Sequence, residues 1–387
     1  LMVLQEGSLS AVSILSDIFI NNPKLWLYPS PTRVGVYGPH ALVLWLMGDS
    51  APNNLAYLST FASLGTLLIV ATIGYLIGGF PTSIISSLLY SCSPLSLALA
   101  RRGWVDGVQE FFAAILLLCG LLIVKQSSIK LLPYILFFIC ACYSFVIKET
   151  SMLLVGLITL TTSTLIFIQG RRLRAVYVAL LGFVSILCGT LLLAFLVGGF
   201  HRLETLATHT KVAMPFNTYA NIYQNGPWHD FISAYFYLTP AFCVLIASLG
   251  LVCIHLPTMR SKRWITERKF QLQVIFSYAI TILLIVTAFC IPPYLKNLRY
   301  IASINPILYI VTGYLIAQLL SKSANMTKRI AVNFTIAILL ITTVFLDISH
   351  YKRIIFKTDC ADLPLKMIKA CKASALRSDL IKMSNKS

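Results

Sequence analysis

Ser93-Pro94-Leu95-Ser96-Leu97-Ala98-Leu99-Ala100-Arg101-Arg102-Gly103-Trp104-Val105-Asp106 closes one apolar segment and leads straight into another, Phe111 to Val124. Three charged side chains therefore share a very short turn between two apolar runs. A turn of this kind either punctuates a membrane surface or borders a site. What other segments bring to the same side decides between the two.

The runs on both sides are long. The chain is 58% hydrophobic and only 11% charged, and its apolar residues come in repeated blocks of roughly 20, the length that crosses a bilayer. Ile115–Val124, Leu180–Val197 and Ile280–Cys290 are apolar all round, with no polar stripe such as a soluble amphipathic helix carries. The fold class is all-α: a polytopic transmembrane helical bundle of about ten spans, with short surface helices on its extracytoplasmic loops.

A net charge of +18 does not indicate nucleic acid. The basic residues lie in short inter-span loops and in the tail, with no nucleic-acid motif, as the positive-inside rule describes. Of ten cysteines, Cys92, Cys119, Cys140, Cys142, Cys188, Cys243, Cys253 and Cys290 sit in or beside apolar runs and read as small hydrophobes. Cys360 and Cys371, in the polar tail, are candidates for a disulfide if the tail is extracytoplasmic.

Three regions follow from the patterning. Residues 1–53 form a first extracytoplasmic loop, with a surface helix near Leu9–Ile20 and a second apolar piece at Pro39–Met47. Residues 54–347 form the transmembrane core and 348–387 a short basic tail. The predicted spans are Asn54–Ile77, ended by Gly78-Gly79-Phe80-Pro81, then Thr82–Ala100, Gly107–Val124, Ile129–Ile147, Met152–Ile168 and Val176–Val197. After a polar stretch, His201–Ser233, come Phe236–Ile254, Leu272–Ile291, a span ending at Leu320, and Ile330–Leu346. The chain starts at Leu1 with no visible signal peptide and reads as beginning partway into a longer protein.

Placing Lys125–Lys130, Arg171–Arg174, Arg260–Lys269 and Lys322–Arg329 in the cytoplasm lets the spans alternate without contradiction. The other face then receives residues 1–53, the Arg101–Asp106 turn, Lys148-Glu149, His201–Ser233, Pro292–Arg299 and the tail. Of the thirteen acids, only Glu267 falls on the cytoplasmic side. A transporter more often places ionisable groups near the midplane and repeats its halves. Charges gathered at one interface fit chemistry on a substrate whose reactive end lies at headgroup level.

Four places resemble the GT-C glycosyltransferases, in particular the dolichyl-phosphate-mannose–protein mannosyltransferase-like branch (glycosyltransferase family 39). Gln5-Glu6-Gly7, upstream of Trp26, resembles that family's Asp-Glu-Gly start of the first loop. Tyr37-Gly38-Pro39-His40 resembles its Lys-Pro-Pro stretch, and Ser93-Pro94 through Arg101 to Asp106 its Ser-Pro…Arg…Pro-Asp turn. Lys148-Glu149-Thr150 and Arg299-Tyr300…Pro306 resemble its later Thr-Lys and Arg-Tyr…Pro elements. Gln5 stands where the family has its first acid, and Val105 where it has the proline before Asp106. The resemblance also implies a membrane helix ahead of Gln5.

What the resemblance implies is an inverting transferase that moves a sugar from a polyprenyl-phosphate donor to a lipid, glycan or protein acceptor. It is expected at a bacterial inner membrane, with its site on the extracytoplasmic face. Such attack needs a base for the nucleophile's proton and cations for the departing phosphate. Glu6 is the candidate base, against the alternative of a solvated loop residue. Asp106 is the second catalytic candidate; Asp106-Gly107-Val108-Gln109 also reads as a capping box. Glu110, one turn on, reads as a supporting group. Arg101, Lys148 and Arg299, with Tyr300, are the candidate phosphate holders, against simple snorkelling at span ends, the reading favoured for Arg102. His40, a substrate-binding candidate, and His201, His209 and His229 are candidates to line an acceptor groove, against plain interfacial polarity, the preferred reading.

No Gly-rich phosphate loop, zinc spacing or Asp-x-Asp motif is present. Carboxylates suit magnesium or manganese, so Glu6 and Asp106 are also the candidates to bridge a divalent metal. Two other functions stay open: a flippase for lipid-linked glycans, with a polar path through the bilayer, and a catalytically inactive membrane scaffold.

Overall fold

The structure, a computed structural model, describes residues 10–21, 32–47, 52–213, 217, 219–255, 268–292, 296–320, 326–358 and 363–384. Gln5, Glu6, Gly7, Trp26 and Cys360 lie outside these. The chain divides into two compact units, one formed by residues up to Thr66 with Leu99–Ile222, the other by Leu67–Ala98 with Tyr223–Ser387.

In the first unit the surface helices α1 (Ser10–Asn21) and α2 (Val34–Met47) precede α3 (Ala56–Ser91), whose first part belongs here, and α4 (Pro94–Arg101). Four long helices follow: α5 (Val105–Lys125), α6 (Leu131–Ile147), α7 (Ser151–Ile168) and α8 (Arg172–Val197). The expected surface helix at Leu9–Ile20 is α1. The expected polar loop at His201–Ser233 is instead largely helical, with α9 (Phe200–Ala213), a π-helical turn at Ala220–Gln224 and α10 (Asp230–Leu238).

α5 is the hub of this unit, with 72% of its apolar window buried. Small residues let its neighbours come close, as membrane helices require where apolar burial gives no net drive. A Cβ at Gly120 would stand 2.6 Å from the Thr162 hydroxyl, and one at Gly182 would stand 2.3 Å from a Thr159 methyl. Phe19 of α1, Val34 of α2, Val146 of α6, Leu193 and Val197 of α8, and Leu206 of α9 form one apolar cluster that seats the surface helices on the bundle. Arg202 adds an ion pair to Asp17 at 3.2 Å. Outside, Leu173 and Phe195 are each 78% exposed, a face that suits lipid.

The second unit holds the rest of α3 with the first residues of α4, and α10, α11 (Pro240–His255), α12 (Lys269–Cys290), α13 (Asn305–Leu320), α14 (Met326–Tyr351) and α15 (Leu365–Ser384). Gly79 interrupts α3 with φ 76° and ψ −167°, a conformation open to glycine because it has no Cβ. The Ser83 hydroxyl donates to the Ala71 carbonyl at 2.8 Å. In a straight helix those residues would be roughly 18 Å apart, so the chain folds back at Gly79, where the sequence predicts a break. α13 is the hub here: Leu298–Leu320 is 78% buried, and Tyr309 packs against Tyr90 and Phe242 with centroids at 6.2 and 4.7 Å.

Among the described residues, seven helices are long and apolar enough to cross a membrane, or eight if α10 and α11, bent by 108° at Thr239, make one broken span. The expectation of about ten is higher for two physical reasons. Thr82–Ala100, which follows the reversal at Gly79, is broken at Ser93-Pro94 into the short end of α3 and the eight-residue α4. The predicted span Ile129–Ile147 is a helix of 17 residues, slightly short for a full crossing. The chain is a multi-pass membrane protein. Cys371 is disulfide-bonded, and Cys92, Cys119, Cys140, Cys142, Cys188, Cys243 and Cys290 are free thiols.

Candidate functional site

The turn after α4 is shaped by close packing: a Cβ on Gly103 would stand 2.9 Å from the Leu55 side chain. Arg101 ends α4 exposed, while Arg102 lies over the Trp104 ring at 5.7 Å. Trp104 is the N-cap of α5 and supplies no side-chain bond. The capping-box reading of Asp106 is thereby corrected. Asp106 sits inside the first turn, where the helix dipole favours an anion, and its carboxylate is occupied elsewhere. Lys148, at the end of α6, donates to Asp106 Oδ1 at 2.5 Å.

Both partners are shut off from solvent, Lys148 at 1% and Asp106 at 4% exposure. An isolated charge in such a place is prohibitive, so each is the condition for the other. Gln109, next on the same turn, donates to the Thr150 and Ser151 hydroxyls at 3.0 and 3.2 Å. This fixes the start of α7 against the start of α5. Glu110 is fully buried one turn along.

Glu149 reaches in a different direction. It accepts from the Thr32 hydroxyl and pairs with the Arg33 guanidinium at 3.7 Å, tying the segment just before α2 to the α6–α7 turn. Burial alone would push the Glu149 carboxyl up, but Arg33, the Thr32 hydroxyl and Lys148 outweigh it and hold it below its ordinary value.

α2 is held by a second tie that follows from proline chemistry. Pro39 lies inside α2 and has no N–H to offer the carbonyl four residues back. That carbonyl belongs to Gly35, and the Tyr143 hydroxyl of α6 donates to it at 2.5 Å. Gly35 is needed for the approach, since a Cβ there would stand 2.8 Å from a Val146 methyl. His40, half-buried on the same helix, has no partner for Nε2 among the described residues, and burial pushes its imidazole pKa down.

The opposite end of the same helices is basic. Asp106 and Lys125 are separated by roughly 30 Å of helix, the thickness of a bilayer core. Arg171 and Arg174 both donate to the Gln126 carbonyl, at 2.5 and 2.6 Å. They satisfy carbonyls left open at the end of α5. Acids and their partners gather at one end of this unit, and the Lys125–Lys130 and Arg171–Arg174 loops at the other.

In the second unit, Arg299 and Tyr300 lie on a 3-10 turn, Leu298–Ile304, capped by Asn297, whose side chain accepts from the Arg299 backbone N–H at 3.2 Å. The Arg299 guanidinium lies over the Tyr300 ring at 5.5 Å. Phe289 stacks on Tyr300 at 6.5 Å. The Tyr300 hydroxyl donates to Gln224 Oε1 at 3.4 Å. Just before them Lys296, 3% exposed, donates to the Phe289, Cys290 and Pro292 carbonyls at 3.2, 2.5 and 2.8 Å. It caps the negative end of α12, and burial lowers its pKa.

Of the candidates named from sequence, Asp106 and Lys148 meet, while Arg101 ends the short helix before the same turn. Arg299 and Tyr300 belong to the second unit, and Glu6 is outside the described residues. The histidines are dispersed: His201 is exposed on α9, His209 packs edge-on against Phe19 at 5.3 Å, and His229 packs against Trp228 at 5.6 Å. Sequence reasoning missed Thr32, Arg33 and Tyr143. Pro39 was the available signal for Tyr143, since an in-helix proline always leaves a carbonyl to satisfy. Among the described residues no three His, Cys, Asp or Glu side chains are grouped to hold a metal ion.

No protein-family model and no curated protein matches the sequence. Solved structures do match in fold. ArnT from Cupriavidus metallidurans in the apo state aligns with a TM-score of 0.51 at 13% identity, over 94% of this chain and 69% of that one. The same protein bound to undecaprenyl phosphate gives 0.50 at 13% identity, over 95% and 74%. The archaeal oligosaccharyltransferase AglB from Archaeoglobus fulgidus, in complex with an inhibitory peptide and a dolichol-phosphate, gives 0.53 at 11% identity. It is matched over 88% of this chain but only 52% of its own length. Identities this low speak of architecture alone. In fold the chain is like ArnT and AglB, a bundle of membrane helices.

Proposed function

We propose that the chain is an inverting membrane glycosyltransferase that moves a sugar from a polyprenyl-phosphate donor to an extracytoplasmic acceptor hydroxyl or amine. The observation that carries the reading is the buried Asp106–Lys148 pair at the start of the hub helix of the first unit. A carboxylate buried against a lysine at the end of a membrane helix is costly, and its position matches the family's Asp turn. The solved structures with undecaprenyl phosphate and dolichol-phosphate give the lipid-linked donor as the first class to try.

In this reading Glu6 takes the proton of the attacking acceptor and Asp106 orients that acceptor or shares the base role. Lys148 holds the Asp106 carboxylate in place. Arg101 holds the departing phosphate by its forked donors, and His40 lines the acceptor side. The disulfide at Cys371 favours an oxidising compartment for the tail, which agrees with an extracytoplasmic site at a bacterial inner membrane.

The test is transfer from a labelled polyprenyl-phosphate sugar by the purified chain in nanodiscs, wild type against Asp106→Asn and Glu6→Gln. A positioned acid or base contributes about 10²–10⁴ in rate, so each variant should lose at least roughly a hundredfold with donor binding retained. Full transfer by both variants refutes the assignment. Movement of lipid-linked glycan across the bilayer that survives both changes would identify a flippase instead.

A further inference from the structure

Between α11 and α14, in the second unit, lies a cavity of about 470 Å³. Val244 and Leu245 form one wall, Leu339 and Leu346 the other, with the Thr343 hydroxyl between them and His350 and Arg353 at one end. Leu245 and Thr343 are each 5% exposed and make the floor, whereas Val244 at 59% and Leu346 at 47% stand open at the rim. From Leu339 to Arg353 the α14 wall and the turn that continues it run roughly 21 Å, somewhat more than the ~15 Å of one leaflet's hydrocarbon.

The two ends of the groove differ in chemistry. The His350 ring Nε2 lies 3.0 Å from the Tyr237 carbonyl. His350 is thereby fixed at the break between α10 and α11, where the 108° bend interrupts the helical bonding pattern. Arg353 follows on a π-helical turn, Lys352–Phe356, and is exposed. From α15, Lys369 and Lys372 place their ammonium groups 5.1 and 5.2 Å from the centre of the Tyr237 ring. Among the described residues neither lysine has a carboxylate within ion-pair distance. The acid of α14, Asp347, is 5% exposed and is not part of the groove lining. One end therefore gathers His350 and Arg353 with Lys369 and Lys372, the two lysines against the Tyr237 ring, and the remainder is apolar.

We propose that this groove holds an anionic phospholipid of the surrounding bilayer, its phosphate among Arg353, Lys369 and Lys372 and one acyl chain along Leu346 and Leu339. A zwitterionic lipid brings its own cation to an end already crowded with cations, whereas a net negative headgroup is complementary to it. The Tyr237 ring holds both ammonium groups within cation–π range beside His350. The site is independent of the transferase reading.

The test uses the full chain in nanodiscs holding equal amounts of phosphatidylglycerol and phosphatidylcholine, with retained lipid measured by native mass spectrometry. Phosphatidylglycerol should be retained in clear excess. Arg353→Gln, Lys369→Gln and Lys372→Gln should each cut that excess by roughly fivefold, the worth of one interfacial cation. Val244→Trp should close the groove to both lipids. Should Val244→Trp fail to fold, the exposed basic residues still decide the question. Equal retention of the two lipids overturns the proposal, as does a triple glutamine variant that keeps the wild-type excess. Displacement of phosphatidylglycerol by an equimolar amount of undecaprenyl phosphate also overturns it, since the groove would then belong to an isoprenoid lipid.

Discussion

Among the described residues one lysine of each unit is almost completely buried, and the two are stabilised in opposite ways. Lys148, in the first, meets a carboxylate, Asp106, at 2.5 Å. Lys296, in the second, meets three backbone carbonyls at the end of α12. An ion pair costs the desolvation of two charges and is hard to justify as a stability device. A lysine on a helix C-terminus desolvates one charge and satisfies acceptors that would otherwise be open. The second arrangement is explained by architecture alone. The first is not, and a residue pair that architecture does not require is the better candidate for chemistry.

Removing one partner of the ion pair should have the largest effect on stability. Lys148→Met takes the lysine counter-charge from the buried Asp106 carboxylate, at about 3–5 kcal/mol, measured by thermal or denaturant unfolding in detergent. Adding Asp106→Asn to it should recover most of that loss, because an uncharged pair has nothing to desolvate. A double variant no more stable than Lys148→Met would mean that the pair is not coupled.

Lys296→Met should come next, at about 3 kcal/mol, from the charge-assisted bonds to carbonyls that it removes. Here no second substitution of a carboxylate should rescue, which separates the cap from the ion pair. Recovery on replacing Asp230 by Asn would place Lys296 in the same class as Lys148.

Tyr143→Phe should be smaller, about 1–2 kcal/mol, for a Gly35 carbonyl left without a donor. In a Pro39→Ala background the restored N–H reaches that carbonyl, so the same substitution should cost close to nothing. An unchanged cost there would show that Tyr143 matters through packing.

Glu149→Gln should have the smallest effect, under about 1 kcal/mol for a half-exposed pair, but with a characteristic pH dependence. Its folded pKa lies below the ordinary 4.5. The stabilisation is therefore fully present above 4.5 and is lost as pH falls through the folded value. Melting curves taken downward from pH 6 should show the wild type losing its advantage over the variant. A gap that stays constant with pH would remove Glu149 from the tie to α2.

Much of this molecule is legible in the residue order. The membrane class, the break at Gly78-Gly79, the surface helix at the start and the segregation of Lys125, Arg171 and Arg174 from Asp106 and Lys148 all follow from local properties. Segment length, glycine permissiveness and loop charge act where they stand in the chain. The likeness of the Ser93–Asp106 turn to the GT-C pattern was available too.

Pairing was not legible. A reader of the chain finds Asp106 followed by Gln109 and infers a capping box; only the packed bundle brings Lys148 to that carboxylate, from 42 residues away. The same holds for Thr32 and Glu149, separated by 117 positions, and for Tyr143 and Gly35, separated by 108. The composition of a segment determines that it enters the bilayer, because transfer from water depends on the segment's own surface. Which of its few polar atoms survive there depends on partners from distant segments, since a charge or carbonyl without water must be satisfied by whatever the fold places beside it.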